Sequence, residues 1–211
     1  ALVTLDANGQ NDIMVYGGAN QAMTTAVLDR TGDLWDQVDF LVSQFETPQE
    51  VTLAAFKLAK EHGVTTILNP APAKEILPGL LSVTDVIAPN ETESALLTGI
   101  EINDEADLVK TADYFRGQGV ATTLVTLGSR GAYFNHNGKS GIVPAFKVKA
   151  VDTTAAGDTF IGGLVSQLTP SMENLADAIT YAQRASSLTV QGMGAMPSIP
   201  TRAQVEEALK N

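Results

Sequence analysis

The run Asp152-Thr153-Thr154-Ala155-Ala156-Gly157-Asp158-Thr159-Phe160 sets small residues directly ahead of Ile161, Leu164, Val165 and Leu168, which fall on one face of a helix. Small side chains let the backbone come close to an anion. The first amides of a helix have no intrahelical acceptor, so the N–H groups of Ala156, Gly157 and Asp158, with the helix dipole behind them, would form an anion hole. Transfer of a phosphoryl group needs mainly positioning and charge stabilisation, together with a carboxylate that can take the proton of the acceptor hydroxyl. Asp158 can fill that role. The same residues admit a plainer reading, in which Asp158 caps the helix and Gly157 makes the turn.

Other segments offer polar atoms for a ligand. Pro89-Asn90-Glu91-Thr92-Glu93 carries oxygen donors of the kind that suit Mg2+, usually through water, although the spacing of Asn90 and Glu93 fits a helix capping box equally well. Thr126-Leu127-Gly128-Ser129-Arg130-Gly131 and the stretch from Thr189 to Ser198, with Gly192 and Gly194, are glycine loops that in isolation read as turns. Glu46 stands two residues before Pro48, a proline placed to open a helix. His62 and His136 fall at a helix end and in a polar turn and are assigned no chemistry, and Trp35 and Tyr16 read as packing residues.

These residues need a scaffold. Leu2–Leu5 and Ile13–Tyr16 are extended runs around an Asn8-Gly9 turn signal, which predicts a β-hairpin. Strands are then expected at 40–43, 64–68, 85–88 and 122–126, alternating with helices over 49–62, 91–98 and 104–116. Such alternation predicts a mostly parallel sheet covered by helices, with ligands at the carboxyl ends of its strands. Residues 132–134, 141–143 and 147–151 read as antiparallel additions around a turn at 135–138. Helices over 158–168 and 172–189, and a last one opened by the capping box Thr201 to Gln204, complete the chain.

Bulk composition bounds the function. With 211 residues, 44% of them hydrophobic, the chain can bury a sizeable core. Cysteine is absent, which excludes disulfides, thiolate metal sites and cysteine nucleophiles. A net charge of −11 argues against nonspecific attraction to nucleic acid or to an anionic membrane, while still allowing a local nest of amides to hold phosphate. No apolar run approaches the roughly 20 residues that span a bilayer, and residues 1–6 carry no signal-like block, so a cytoplasmic setting is expected.

The segment from Asp152 to Phe160 resembles, almost residue for residue, the C-terminal signature of the ribokinase (PfkB) family of carbohydrate kinases. That resemblance implies an α/β fold of the ribokinase type, doubly wound, with a mostly parallel sheet and helices on both faces. It implies ATP as phosphoryl donor, Mg2+, and K+ as an activating monovalent cation. By resemblance Asp158 is the catalytic base and the Ala156, Gly157 and Asp158 amides are the hole for the transferred group. Asn90 and Glu93 match the motif near Mg2+ and the nucleotide phosphates, and Thr126 to Gly131 match the loop along ATP. Gln183 stands where the family places a residue beside the adenine or ribose of ATP. Asp152, Thr154, Thr189, Gly192, Gly194 and Ser198 match the loops around the monovalent cation. Glu46 matches a glutamate that binds a sugar hydroxyl, so that Glu46 and Asp158 are the expected sugar contacts.

Asn69-Pro70-Ala71-Pro72-Ala73 matches a turn of the ribose-specific members, which implies conversion of D-ribose to ribose 5-phosphate; fructose, deoxyribose or a nucleoside is the alternative substrate, and a noncatalytic ATP-binding protein the alternative class. Family chains normally begin well before the residue matching Ala1. The missing part carries a sugar-binding aspartate, a Gly-Gly-x-x-x-Asn motif and two strands of a small β lid. Residues 1–16 are therefore expected to be the remaining hairpin of the lid, through which the family forms homodimers, and 17–211 an α/β nucleotide-binding and catalytic domain incomplete at its N-terminus. Gly17-Gly18-Ala19-Asn20 echoes the sugar motif but follows the hairpin and matches another segment. A chain beginning at Ala1 is expected to bind nucleotide better than it turns over sugar.

Overall fold

The structure, a computed structural model, describes residues 2–5 and 11–210. The chain divides into two compact units: Ala1–Tyr16, Gly128–Ala132 and Ile142–Asn211 form the first, and Gly17–Leu127 with Tyr133–Gly141 the second.

The first unit opens with strands β1 (Leu2–Leu5) and β2 (Asn11–Met14), paired antiparallel with Leu2 opposite Met14. The hairpin expected from the sequence is present, but its second strand runs over 11–14 rather than 13–16. The Asn8-Gly9 turn signal lies outside the described residues.

The second unit starts with the short helix α1 (Gly18–Gln21) and two 3-10 turns, Thr25–Arg30 and Gly32–Gln37. β3 (Phe40–Ser43), α2 (Gln49–Glu61), β4 (Thr65–Leu68), β5 (Val86–Ile87), α3 (Glu91–Thr98), α4 (Glu105–Gly117) and β6 (Thr122–Thr126) follow. β3, β4, β5 and β6 are neighbours in that order and run parallel. β7 (Ala132–His136) and β8 (Lys139–Val143) extend the sheet to six strands. Asn137 and Gly138, both at positive φ (49° and 76°), are all that connects these two, and only antiparallel strands can be joined so tightly. The sheet is therefore mixed and flanked by helices, the α/β architecture expected from the sequence.

Burial explains the choice of elements. Phe45, Phe56, Leu68, Leu80, Ile87, Phe115 and Val120 form one apolar cluster, and Leu108, Ala112, Val125, Leu127 and Tyr133 a second. α2 and α4 each contribute a stripe to this packing, and β4 and β6 are almost wholly buried, as strands covered on both faces must be. α2 ends at Glu61, with His62 as its C-cap before Gly63 at φ 73°, as the glycine predicts.

The remainder of the first unit holds α5 (Ala156–Gln167), α6 (Leu175–Thr189) and α7 (Arg202–Ala208). α6 starts three residues later than expected, because Met172 is held at φ 54°, a conformation that a right-handed helix does not contain. The strand expected over 147–151 does not form: the Val151 and Asp152 amides donate to the Val190 carbonyl at 2.7 and 3.3 Å, where α6 ends, instead of entering a ladder. Gly163 allows α5 to lie against α6, since a Cβ there would come within 3.1 Å of the Ala182 Cα. Among the described residues no helix is long and apolar enough to cross a membrane.

Phe115 is fully buried, so Phe115→Ala is expected to lower stability by about 3–5 kcal/mol. The Thr111 hydroxyl is buried without a hydrogen-bond partner among the described residues, so Thr111→Val should leave stability unchanged or raise it. Urea unfolding of both variants beside the parent chain checks the contrast.

Candidate active site

The first turn of α5 is built differently from most helix starts. Its N-cap is Ala155, in the left-handed conformation (φ 62°, ψ 11°), with no side-chain cap. An alanine there costs of order 1–3 kcal/mol. In return the chain enters the helix with backbone rather than side chains over the first amides. The Ala156 amide donates to the Thr153 carbonyl at 3.2 Å and the Thr159 amide to the Ala155 carbonyl at 2.9 Å, whereas the Gly157 and Asp158 amides have no acceptor among the described residues. Of the three donors expected from the sequence, two are thus open and one is already occupied. A Cβ placed on Gly157 would meet nothing within 4 Å, so crowding does not require a glycine there. Asp158 is exposed, and its carboxylate makes no hydrogen bond or ion pair among the described residues. It does not cap the helix. It also lines a cleft of about 360 Å³ beside Tyr181 and Arg202.

Asp152 holds this turn in place. It is 4% exposed; its Oδ1 accepts the Thr154 amide and its Oδ2 the Gly194 amide, both at 2.9 Å. The Thr154 hydroxyl, followed by the Thr154 and Gly194 amides, lowers the Asp152 pKa from the ordinary carboxylate value. One carboxylate therefore ties the 152–154 segment to the 189–198 loop. That loop closes on itself through Gly192 N–H to the Thr189 carbonyl at 3.1 Å and Ser198 Oγ to the Gly194 and Ala195 carbonyls at 2.5 and 2.8 Å. Of the residues expected around a monovalent cation, Asp152, Thr154, Gly194 and Ser198 are linked by these hydrogen bonds, while Thr189 and Gly192 bond to each other.

α6 supplies further anchors that local sequence reading missed. Ser186 Oγ donates to the Ala156 carbonyl at 2.9 Å, and Thr189 Oγ1 to Thr159 Oγ1 at 3.1 Å. The only available signal was their three-residue spacing on one helix face. Gln183, also on α6, is 7% exposed, and its amide has no partner among the described residues.

In the loop expected to lie along ATP, Gly128–Arg130 form a 3-10 turn, with Ser129 and Arg130 exposed. Gly131 lies at φ 113°, and any Cβ there would collide with the Val143 carbonyl, so only glycine fits.

The second unit carries the other candidates at the carboxyl ends of its parallel strands. Thr126, the last residue of β6, bridges Asn90, and its amide donates to the Pro89 carbonyl at 3.0 Å. Leu127 is 2% exposed and packs in the second apolar cluster, so a ligand could meet only its backbone. Asn90 and Glu93 form a complete capping box, with Glu93 N–H to Asn90 Oδ1 and Asn90 N–H to Glu93 Oε2 each at 2.8 Å. Burial raises the Glu93 pKa, with the Asn90 amide opposing. Among the described residues no three acidic or histidine side chains cluster to cage a metal. Glu46, beyond β3, is exposed; its amide donates to Gln44 Oε1 at 2.8 Å and its carbonyl accepts from Gln21 Nε2 at 2.7 Å, which fixes the backbone and leaves the carboxylate outward. Asn69 Nδ2 ties the end of β4 to the Ala88 carbonyl at 2.7 Å.

Parallel strands with polar carboxyl ends in one unit, and in the other a helix whose Gly157 and Asp158 amides are open, are the features expected of a carbohydrate kinase. The chain belongs to the pfkB family of carbohydrate kinases, whose sequence profile matches residues 1–202. It is 50% identical over 207 residues to a ribokinase of Staphylococcus aureus, covering 98% of this chain and 68% of that protein. It is 49% identical to a bifunctional ribokinase/ribose-5-phosphate isomerase A of Fructilactobacillus sanfranciscensis, of which it covers 38%. The structure of an Arabidopsis thaliana ribokinase complexed with ribose and ATP superposes with a TM-score of 0.87 at 31% identity, over 99% of this chain and 68% of the other.

Because Asp152 has a lowered pKa when folded, its contribution to stability is whole above pH 3.8, the ordinary aspartate value, and is lost as pH falls through the lower folded value. Asp152→Asn is therefore expected to be less stable than the parent at neutral pH, with the gap narrowing in acid below pH 3.8. Guanidinium unfolding at neutral pH and in acid measures it.

Proposed function

We propose that this chain catalyses transfer of the γ-phosphoryl group of ATP to the 5-hydroxyl of D-ribose, giving ribose 5-phosphate and ADP. The observation that carries the reading is the exposed, unpartnered Asp158 carboxylate directly after the open Gly157 and Asp158 amides. Asp158 takes the proton of the sugar hydroxyl, the hydroxyl oxygen bonds to the γ-phosphorus, and the bond to the oxygen bridging the β- and γ-phosphates breaks as ADP leaves. The two amides, at the positive end of the α5 dipole, stabilise the group in transit. Glu46 holds a sugar hydroxyl. Thr126, the backbone of Leu127, Gly128 to Gly131 and Gln183 serve the nucleotide. Ribose as the acceptor is supported by the names of the similar proteins and by the Asn69-Pro70-Ala71-Pro72-Ala73 turn.

Mg2+ fits a hydrated mode. Asn90 and Glu93 are largely engaged with each other and no carboxylate cage exists among the described residues, so the ion would arrive with the nucleotide phosphates and meet Glu93 through water, neutralising phosphate charge. K+ fits the 152–198 segments, where each Asp152 carboxylate oxygen accepts a backbone amide and the Thr189 and Gly194 carbonyls each accept one hydrogen bond, leaving lone pairs for a cation; its charge would stiffen the loop that carries the open amides.

The hairpin of β1 and β2 exposes Leu2 (58%) and Met14 (66%), and a two-stranded hairpin is marginal alone, so a second copy of the chain is the cover we assign to it. ATP as donor places the reaction in the cytoplasm.

Asp158→Asn, in the full reading frame that encodes these residues, is expected to lower kcat with ribose about 10²–10⁴-fold and to leave ATP-analogue binding within about twofold. ADP release on ribose, 2-deoxyribose and fructose checks both mechanism and acceptor. Turnover of fructose without ribose would overturn the substrate, and an unchanged rate in the variant would overturn the base.

A further inference from the structure

The Ala156 carbonyl and the Gly157 amide are the two ends of one peptide group. The carbonyl end accepts a hydrogen bond from Ser186 Oγ at 2.9 Å, and the amide end is one of the two open donors. A serine within a helix ordinarily turns its hydroxyl back to a carbonyl three or four residues earlier. Ser187 does so, donating to the Arg184 carbonyl at 2.7 Å, while Ser186 beside it reaches across to α5 instead.

Two physical effects follow. The bond fixes the plane of the Ala156–Gly157 peptide and thereby the direction of the Gly157 N–H. It also draws electron density toward the carbonyl oxygen, which makes the amide at the other end a stronger donor. The surrounding contacts keep the geometry rigid. Thr189 Oγ1, fully buried, holds Thr159 at 3.1 Å on the far side of Asp158, and the close approach of Gly163 to Ala182 leaves the two helices no room to slide. Gly157 and Asp158 thus lie between two hydroxyl anchors from α6.

We infer that Ser186 is a positioning residue of the phosphoryl transfer, aiming and polarising the Gly157 N–H toward the migrating group without touching substrate. The inference rests on the reading of the Gly157 and Asp158 amides as the receiver of that group. A donor aimed at the group in transit acts in the transition state, so its misalignment lowers kcat and leaves ground-state binding alone.

In Ser186→Ala, kcat for ribose phosphorylation is expected to fall about tenfold, short of the roughly 10²–10³-fold that attends outright removal of such a donor, with KM for ribose and for ATP within about twofold. Ser186→Thr keeps a hydroxyl and should restore the rate. In parallel, the amide 15N resonance of Gly157 should move in Ser186→Ala more than those of Thr153 and Thr154, and return in Ser186→Thr. An unchanged kcat overturns the inference, as does a fall in kcat that comes with higher KM values and is not restored by threonine, since that marks general loosening. If the parent chain phosphorylates no sugar, the kinase reading fails on its own, and the Gly157 resonance still decides the coupling: movement upholds it and a stationary signal overturns it.

Discussion

A helix N-terminus can receive an anion only if its first amides are left without protein partners, and those amides are also the ones that side-chain caps normally consume. The start of α5 meets this constraint by placing Ala155 in a left-handed conformation and using no capping side chain. Backbone strain of order 1–3 kcal/mol persists only where the surroundings over-determine it. Here the surroundings are the buried Asp152 carboxylate, the Val190 carbonyl that gathers the Val151 and Asp152 amides, and the α6 hydroxyls on Ala156 and Thr159. The site is open at two atoms because nearly every neighbouring polar atom is closed.

The same logic separates the two kinds of carboxylate in this region. Asp152 is buried and shared between amide donors, so it is held ionised and its work is structural. Asp158, six residues later, is exposed and unshared, so its oxygens remain available to a hydroxyl. The pairing also suits the proposed handling of a polyanionic nucleotide by a chain of net charge −11. Local donors, comprising open amides and a helix dipole, act at contact distance, whereas the overall charge is screened over about 8–10 Å at physiological salt.

The second unit meets a different demand, which is to deliver polar groups to one edge of a buried sheet. Parallel register along β3, β4, β5 and β6 places Glu46, Asn69, Asn90 and Thr126 at the same end of their strands. The apolar clusters beneath hold those ends still, and Leu127 shows how closely the two duties adjoin, with its side chain in the core and its backbone at the start of the glycine loop.

Much of this was legible in the amino-acid order. Hydrophobic periodicity and glycine stops placed α2, α3, α4 and the parallel strands within a residue or two, because those elements are determined by local pattern and by burial of one stripe or face. The capping boxes at Asn90 and Thr201 could be read directly, since both partners lie within one helical turn. The run from Asp152 to Phe160 marked a helix start rich in small residues, at which an anion site and a capping role for Asp158 were both open, and the Ala155 N-cap removes the capping role. What the order of residues could not settle was which amides stay free, why an alanine tolerates φ 62°, and why Val151 bonds to the Val190 carbonyl rather than joining a strand. Those outcomes depend on bonds between residues 30 to 42 positions apart, such as Ser186 with Ala156 and Gly194 with Asp152. A contact of that kind has no local signature, because it is created only when packing brings one helix against another.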